Sequence, residues 1–389
     1  MEASNAPSRQ RSYWLDNAKA ITMVMVVIMH VALSPLYDSS DYIKILYKFI
    51  NFIIMPCFMI LSGYLSKNRI NNRRYNVAIT RLFIPYLIAQ FAMYLLYCFT
   101  GTQSIFFVVS GTSQMFWLRP TQALWYLLAM FVYQMLTPSI VHNKKPWAVL
   151  LVAGLCSLAI GFAPYIGYLS VNMLVGHYPF FLFGYFLKEK SLVALKKKRF
   201  QIGGAVIIIG LILLCVFGYQ DIYHRFIPVF MNPYSSYDSL YFPGYGLLCR
   251  FLYLFAAVAV SLSLISLTPK RKTFFSYIGQ HSIYVYILHV FVYMALRIAN
   301  VYLDGAFFGK INSGLEYIIF IVLAIALAVI LASKPVRYLT RPLIEPNIDM
   351  GLLGKRIFAS KPSPNPLEEK ENSQEKLASA DVHTNDPSE

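Results

Sequence analysis

Long apolar runs separated by short polar loops dominate the chain. Ten such runs cover residues 17–37, 44–66, 76–99, 122–141, 146–163, 168–187, 200–218, 244–267, 278–299 and 315–333. Each lies near the ~20 residues that the hydrocarbon core of a bilayer demands of a helix. The connecting loops alternate in charge. Lys67, Arg69, Arg73 and Arg74 follow the second run, Lys144 and Lys145 the fourth, and Lys188 to Arg199 the sixth. Lys270 to Lys272 follow the eighth run and Lys334, Arg337 and Arg341 the tenth, while the intervening loops are poor in basic residues. Basic residues collect on the cytoplasmic side of membrane proteins. The pattern therefore predicts an all-α integral membrane protein of about ten transmembrane helices in one bundle, with both termini cytoplasmic.

Composition agrees. Of 389 residues, 57% are hydrophobic and 13% charged, and the mean hydropathy is +0.53, values outside the range of soluble domains. The net charge of +16 first suggests nucleic acid, but its cations sit in loops between apolar runs and no nucleic-acid module is present. The five cysteines fall within or at the ends of apolar runs without a C-x-x-C pair, and read as small buried hydrophobes. The first run has no small-residue cleavage site and is expected to stay as a span. Residues 1–12 form a short cytoplasmic lead, 13–345 the membrane domain, and 346–389 a polar tail expected to be disordered. Two outer segments, 100–121 and 219–243, are long enough to carry function.

Ionisable groups inside spans are the candidates for chemistry, because desolvation selects against idle ones. His30 lies inside the first run, and Asp16 and Lys19 precede it on the same helical stripe. Lys19 and His30 would stand roughly 16 Å apart along the axis. Against a functional role, His30 fits a neutral histidine bonded to a neighbouring helix, and Lys19 with Asp16 an i,i+3 ion pair anchoring the helix. Arg81 opens the third run, where a snorkelling arginine is equally natural. Trp125 and Tyr126 open the fourth from outside, as sugar-stacking rings or as an interfacial belt. Arg250 and His289 lie within the eighth and ninth runs. Ser62 and Gly63 read mostly as packing. No H-E-x-x-H, P-loop or dinucleotide glycine pattern is present, so no resident metal or nicotinamide cofactor is expected.

The stretch YWLDNAKAITMVMVVIMH at 13–30 resembles the start of the membrane-bound acyltransferase 3 family, in which a basic residue precedes a histidine in the first helix. Asp-Asn before the lysine looks like the fucose 4-O-acetylase-like branch. IMPCFMILSGYLSKN at 54–68, RLFIPYL at 81–87, LWYLLAMF at 124–131, YPFFLFGYFLK at 178–188 and SIYVYILHVFV at 282–292 are similar to later segments, in order, over about residues 13–340. Lys19 stands where the larger family often has arginine, and Ile54 where relatives of this branch often carry histidine.

The resemblance implies transfer of an acyl group, usually acetyl from acetyl-CoA, to a hydroxyl of a cell-surface carbohydrate at the inner membrane. His30 would then be the catalytic base or, alternatively, an acyl carrier. Asp16, Lys19 and Arg81 would meet the CoA end, and Trp125, Tyr126, Arg250 and His289 the acceptor. Acetyl-CoA is a donor substrate, with no cofactor permanently bound. The expected partners are acyl-CoA, the carbohydrate and the bilayer, with self-association left open. The rival readings are an exporter of polysaccharide or lipid-linked sugar, and a non-catalytic member of a synthase complex.

Overall fold

The computed structural model describes residues 13–100, 119–164, 166, 168–217, 236–237, 243–303, 308, 311 and 313–346. They lie in one compact unit, Met1–Pro346; the second unit, Asn347–Glu389, falls outside the described residues. So do most of the two outer segments and, apart from Pro346, the polar tail singled out above.

The described residues form helices and no strand. In chain order they are α1 (Tyr13–Leu33), α2 (Asp41–Asn71), α3 (Tyr75–Phe99), α4 (Gln122–Val141), α5 (Pro146–Phe162), α6 (Val171–Phe186) and α7 (Glu189–Ala194). There follow α8 (Lys198–Phe217), α9 (Pro243–Leu267), α10 (Ser276–Gln280), α11 (Ser282–Tyr302), α12 (Gly314–Ala332) and α13 (Lys334–Ile344). Eight are long and apolar enough to cross a bilayer: α1 to α4, α8, α9, α11 and α12. The other two expected spans, 146–163 and 168–187, are the shorter helices α5 and α6. Leu169 and Ser170 hold left-handed backbone with φ of 52° and 51°, so α6 begins only at Val171. The chain is a multi-pass membrane protein.

Local sequence explains the helix ends. Ser40 accepts a hydrogen bond from the Tyr42 amide and caps α2. Ser313 and Glu316 form a reciprocal capping box at the start of α12, satisfying amides that have no partner within the helix. α13 carries Lys334, Arg337 and Arg341 beside exposed Tyr338, Leu339 and Leu343, the composition of a helix lying in a membrane interface.

α1 is the centre of the bundle. Of its apolar window 72% is buried, against 11% for α8, which presents its side chains outward on almost every face. α2 packs most extensively on α6. Gly63 on α2 lies against the carbonyl of Phe181, and Gly184 on α6 against the carbonyl of Ile60. A Cβ at either position would collide with backbone, so these glycines set how closely the two helices approach. Gly279 similarly lets α10 meet the Asp16 carbonyl of α1.

Polar side chains tie the loops to this frame. Asn17 is buried; its Nδ2 donates to the carbonyls of Pro269 and Arg271, both at 2.9 Å, and its Oδ1 accepts from Thr273 and Ser276. Lys196 donates to the carbonyls of Ile265 (2.8 Å), Ser266 (3.1 Å) and Thr268 (2.5 Å) at the end of α9. Its ammonium also lies 4.7 Å from the centre of the Trp14 ring. A cation at a helix C-terminus opposes the partial negative charge of the unsatisfied carbonyls there.

Candidate functional site

Among the described residues, a wall of aromatic side chains separates two cavities in the bundle. The first, of about 380 Å³, is lined by Lys19 of α1, Arg69 of α2, Arg81 of α3, Gln134 of α4 and Glu345. The second, of about 320 Å³, is lined by His30, Tyr47, Asn51, Gln122, Trp125 and Ser170. Phe58, Tyr126 and Tyr286 line both.

The wall is built from three helices. The Tyr126 ring meets Phe58 edge-on at 5.8 Å and Tyr286 at 5.1 Å. Its hydroxyl lies 2.5 Å from Ser62 Oγ, and the Tyr286 hydroxyl donates to the Ala123 carbonyl. On α2, Phe58, Ser62, Ser66 and Arg69 fall at helical spacing along one face, from the wall to the far end of the basic cavity.

Lys19 and His30 leave α1 toward different cavities. Their common stripe therefore serves two compartments rather than one mouth. Lys19 forms a 2.9 Å ion pair with Asp16, whose side chain is nearly buried. Asp16 supports Lys19 from behind and is not part of the cavity lining. Arg69 Nη2 donates to Ser66 Oγ at 3.4 Å. Arg81 pairs with Glu345 at 3.5 Å, a bond between two partly exposed side chains.

His30 and Arg81 share a feature that the apolar pattern does not encode. His30 lies in a π-helical segment of α1, Ile28–Leu33, and Arg81 in another in α3, Ile79–Phe83. Such wide turns are uncommon and recur at functional sites. The His30 ring is partly exposed and lies 5.4 Å from the His289 ring and 5.6 Å from that of Tyr293. His289 is fully buried behind it.

Trp125 and Tyr126 both reach the second cavity. Trp125 lies 5.2 Å from the ring of buried His177. Arg250 lies elsewhere: it is buried with its guanidinium 4.9 Å from the Tyr237 ring and lines neither cavity. The structure thus brings Lys19 and Arg81 together in one cavity and gathers His30, Trp125 and Tyr126 at the other.

Sequence reasoning passed over Arg69, reading it as a loop charge that marks topology, and did not single out Phe58, Tyr286 or Glu345. The i, i+4, i+8, i+11 spacing of Phe58, Ser62, Ser66 and Arg69 was the available signal. Glu345 offered none, since it reaches Arg81 across 264 positions.

No curated protein and no solved structure matches the chain. A family model described as an acyltransferase domain matches residues 12–333, which takes in both cavities except Glu345. One cavity within the matched segment is lined by Lys19, Arg69 and Arg81, and the other by His30. On that match, the chain belongs to the acyltransferase 3 family.

Proposed function

We propose that this membrane acyltransferase moves an acetyl group from cytoplasmic acetyl-CoA to a hydroxyl of a cell-surface carbohydrate. The observation that carries the reading is the meeting of the two cavities at Tyr126. One has three cations in its lining and the other has a histidine.

Lys19, Arg69 and Arg81 suit the CoA phosphates. Arginine offers forked donors to phosphate oxygens, and lysine a compact charge. Phosphates cannot enter the apolar interior cheaply, whereas the neutral thioester arm can. The arm would extend from these cations toward Ser62 and Tyr126. On the other side of the wall, Asn51 and Gln122 offer amide hydrogen-bonding groups and Trp125 a flat apolar ring, a combination that suits a sugar. His30 takes the proton of the acceptor hydroxyl as its oxygen attacks the acyl carbon. The C–S bond then breaks, and the CoA sulfur receives a proton.

The basic loops, read by the positive-inside rule, support a cytoplasmic Lys19 end of the bundle, with the His30 cavity toward the outer face of the inner membrane. The likeness of residues 13–30 to fucose 4-O-acetylase-like proteins favours a sugar hydroxyl as acceptor.

The test compares surface polysaccharide by NMR from cells with and without the gene, and from cells carrying His30→Ala. Loss of one O-acetyl resonance with polymer yield unchanged is the expected result in both altered strains. Loss of the polymer itself would favour export, and an unchanged acetyl pattern would overturn the reading.

A further inference from the structure

We propose that His289 is a positioning residue that accepts a hydrogen bond from the ring N–H of His30 and so fixes His30 as a base. This rests on the reading of His30 given above. His289 is fully buried. Its Nδ1 lies 3.1 Å from the Val285 carbonyl one turn back on α11. A carbonyl only accepts, so Nδ1 carries the proton and, in the neutral ring, Nε2 carries the lone pair. That Nε2 is buried with no hydrogen-bond partner in the protein. A buried acceptor left unmatched is costly, and such groups gather where chemistry will use them.

The surroundings select its partner. The His30 ring is 5.4 Å from the His289 ring, centre to centre, and tilted 42° from it. Nε2 is on the edge of the imidazole farthest from its own backbone. The neighbouring hydroxyls are otherwise engaged. Tyr286 donates to Ala123, and the Tyr293 hydroxyl lies 3.5 Å from both Ser34 Oγ and Arg297 Nη1. His30 reaches the cavity and His289 does not, so His289 stands behind the residue that would meet substrate. A small rotation of either ring, or one water between them, joins the His30 N–H to the bare Nε2.

The arrangement has a chemical consequence. An imidazole accepts a proton at one nitrogen only when the other holds the N–H, and an acceptor behind that N–H keeps the basic nitrogen turned to the cavity. During transfer the acceptor hydroxyl's proton passes to this nitrogen. The oxygen bonds to the acyl carbon, the C–S bond breaks, and the proton leaves His30 for the thiolate. The imidazolium formed in between is stabilised by the lone pair of His289. No other reactant is needed.

Asparagine and glutamine at position 289 separate this role from packing. Asparagine can still donate to Val285 but has no atom near the Nε2 position, whereas glutamine extends its amide oxygen to about that place. The full-length protein would be assayed in vesicles carrying the cell's own polysaccharide, with radiolabelled acetyl-CoA. His289→Asn is expected to lower kcat by about 10²-fold, with the KM for acetyl-CoA within about twofold of wild type. His289→Gln is expected to keep at least about a tenth of wild-type kcat, the acceptor surviving without the ring. Equal loss in both variants, or near wild-type turnover by His289→Asn, would overturn the role while leaving the transferase reading intact. A wild-type protein that transfers no label, or a fully active His30→Ala, would overturn that reading and this inference with it.

Discussion

The two cavities are similar in volume and opposite in chemistry. One lining has the cations Lys19, Arg69 and Arg81 with a single carboxylate, Glu345; the other has neutral amides, aromatic rings and His30. The difference follows from where charge is tolerable. Arg81 and Lys19 keep 62% and 21% of their side-chain surfaces exposed, near one end of the bundle. Deeper positions would impose a large desolvation penalty on a permanent cation. A histidine escapes that penalty because it is neutral until it takes a proton. On the proposed reading, the separation lets α1 serve a charged carrier with one turn and proton transfer with another.

If the two compartments divide binding from chemistry, changes in each should alter different kinetic constants. His30→Ala is expected to give the largest effect, a fall in kcat of about 10²–10⁴-fold, the usual contribution of a general base. Its KM for acetyl-CoA should hardly move. A large change in KM with kcat preserved would erase the distinction between the cavities. Initial rates across donor concentrations in membrane vesicles decide this.

In the other cavity the constants should respond in reverse. Arg69→Ala and Lys19→Ala are each expected to raise the KM for acetyl-CoA about tenfold, the equivalent of one charge-assisted hydrogen bond. Lys19→Arg should keep most of the affinity, because charge at that turn is what is required. Asp16→Asn should mimic a weaker form of Lys19→Ala, since the Asp16 carboxylate holds Lys19 in a 2.9 Å ion pair. Equal KM values for Arg69→Ala and wild type would remove Arg69 from the donor site.

The wall between the cavities offers a smaller effect. Tyr126→Phe keeps the ring packing on Phe58 and Tyr286 and deletes the bond to Ser62. One neutral hydrogen bond predicts a loss in kcat/KM of about 2- to 10-fold. Tyr126→Ala removes the ring and joins the cavities. Longer acyl-CoA donors should then gain relative to acetyl-CoA, in an assay that compares acetyl, butyryl and hexanoyl donors. An unchanged donor ranking would mean that the wall does not gauge the acyl chain.

Much of the architecture is legible in the chain because apolar runs and basic loops report directly on the bilayer. Eight expected spans reappear as long apolar helices. α5 keeps almost the bounds expected of its run, whereas α6 starts late because length along the sequence does not reveal where the backbone turns left-handed, as at Leu169 and Ser170. His30, Lys19 and Arg81 were visible as ionisable groups in apolar runs. The π-helical turns that carry His30 and Arg81 were not, since a single widened turn leaves the apolar pattern intact. The wall was hidden for a different reason. Phe58, Tyr126 and Tyr286 are ordinary apolar residues on three separate helices, and only their convergence makes them a partition. Asn17 is similar: no local pattern announces that its side-chain hydrogen bonds go to residues 269–276.

The smallest expected effect concerns the one carboxylate in the basic cavity. Glu345 lies 3.5 Å from Arg81, and both side chains are partly exposed. Such a pair contributes only ~0.2–1 kcal/mol, too little to hold the bundle together. On the proposed reading, its carboxylate nevertheless competes with phosphate for the same guanidinium. Glu345→Gln should therefore lower the KM for acetyl-CoA, by up to about fivefold, and leave kcat alone. The gain should shrink as salt is raised, because exposed charges are screened. The control is Arg81→Ala with Glu345→Gln, in which the gain should largely vanish once its guanidinium is gone. A higher KM in Glu345→Gln would show that the carboxylate positions Arg81 for the donor rather than competing with it. The division into a cationic and a neutral cavity would then extend to Glu345 as a supporting residue of the first.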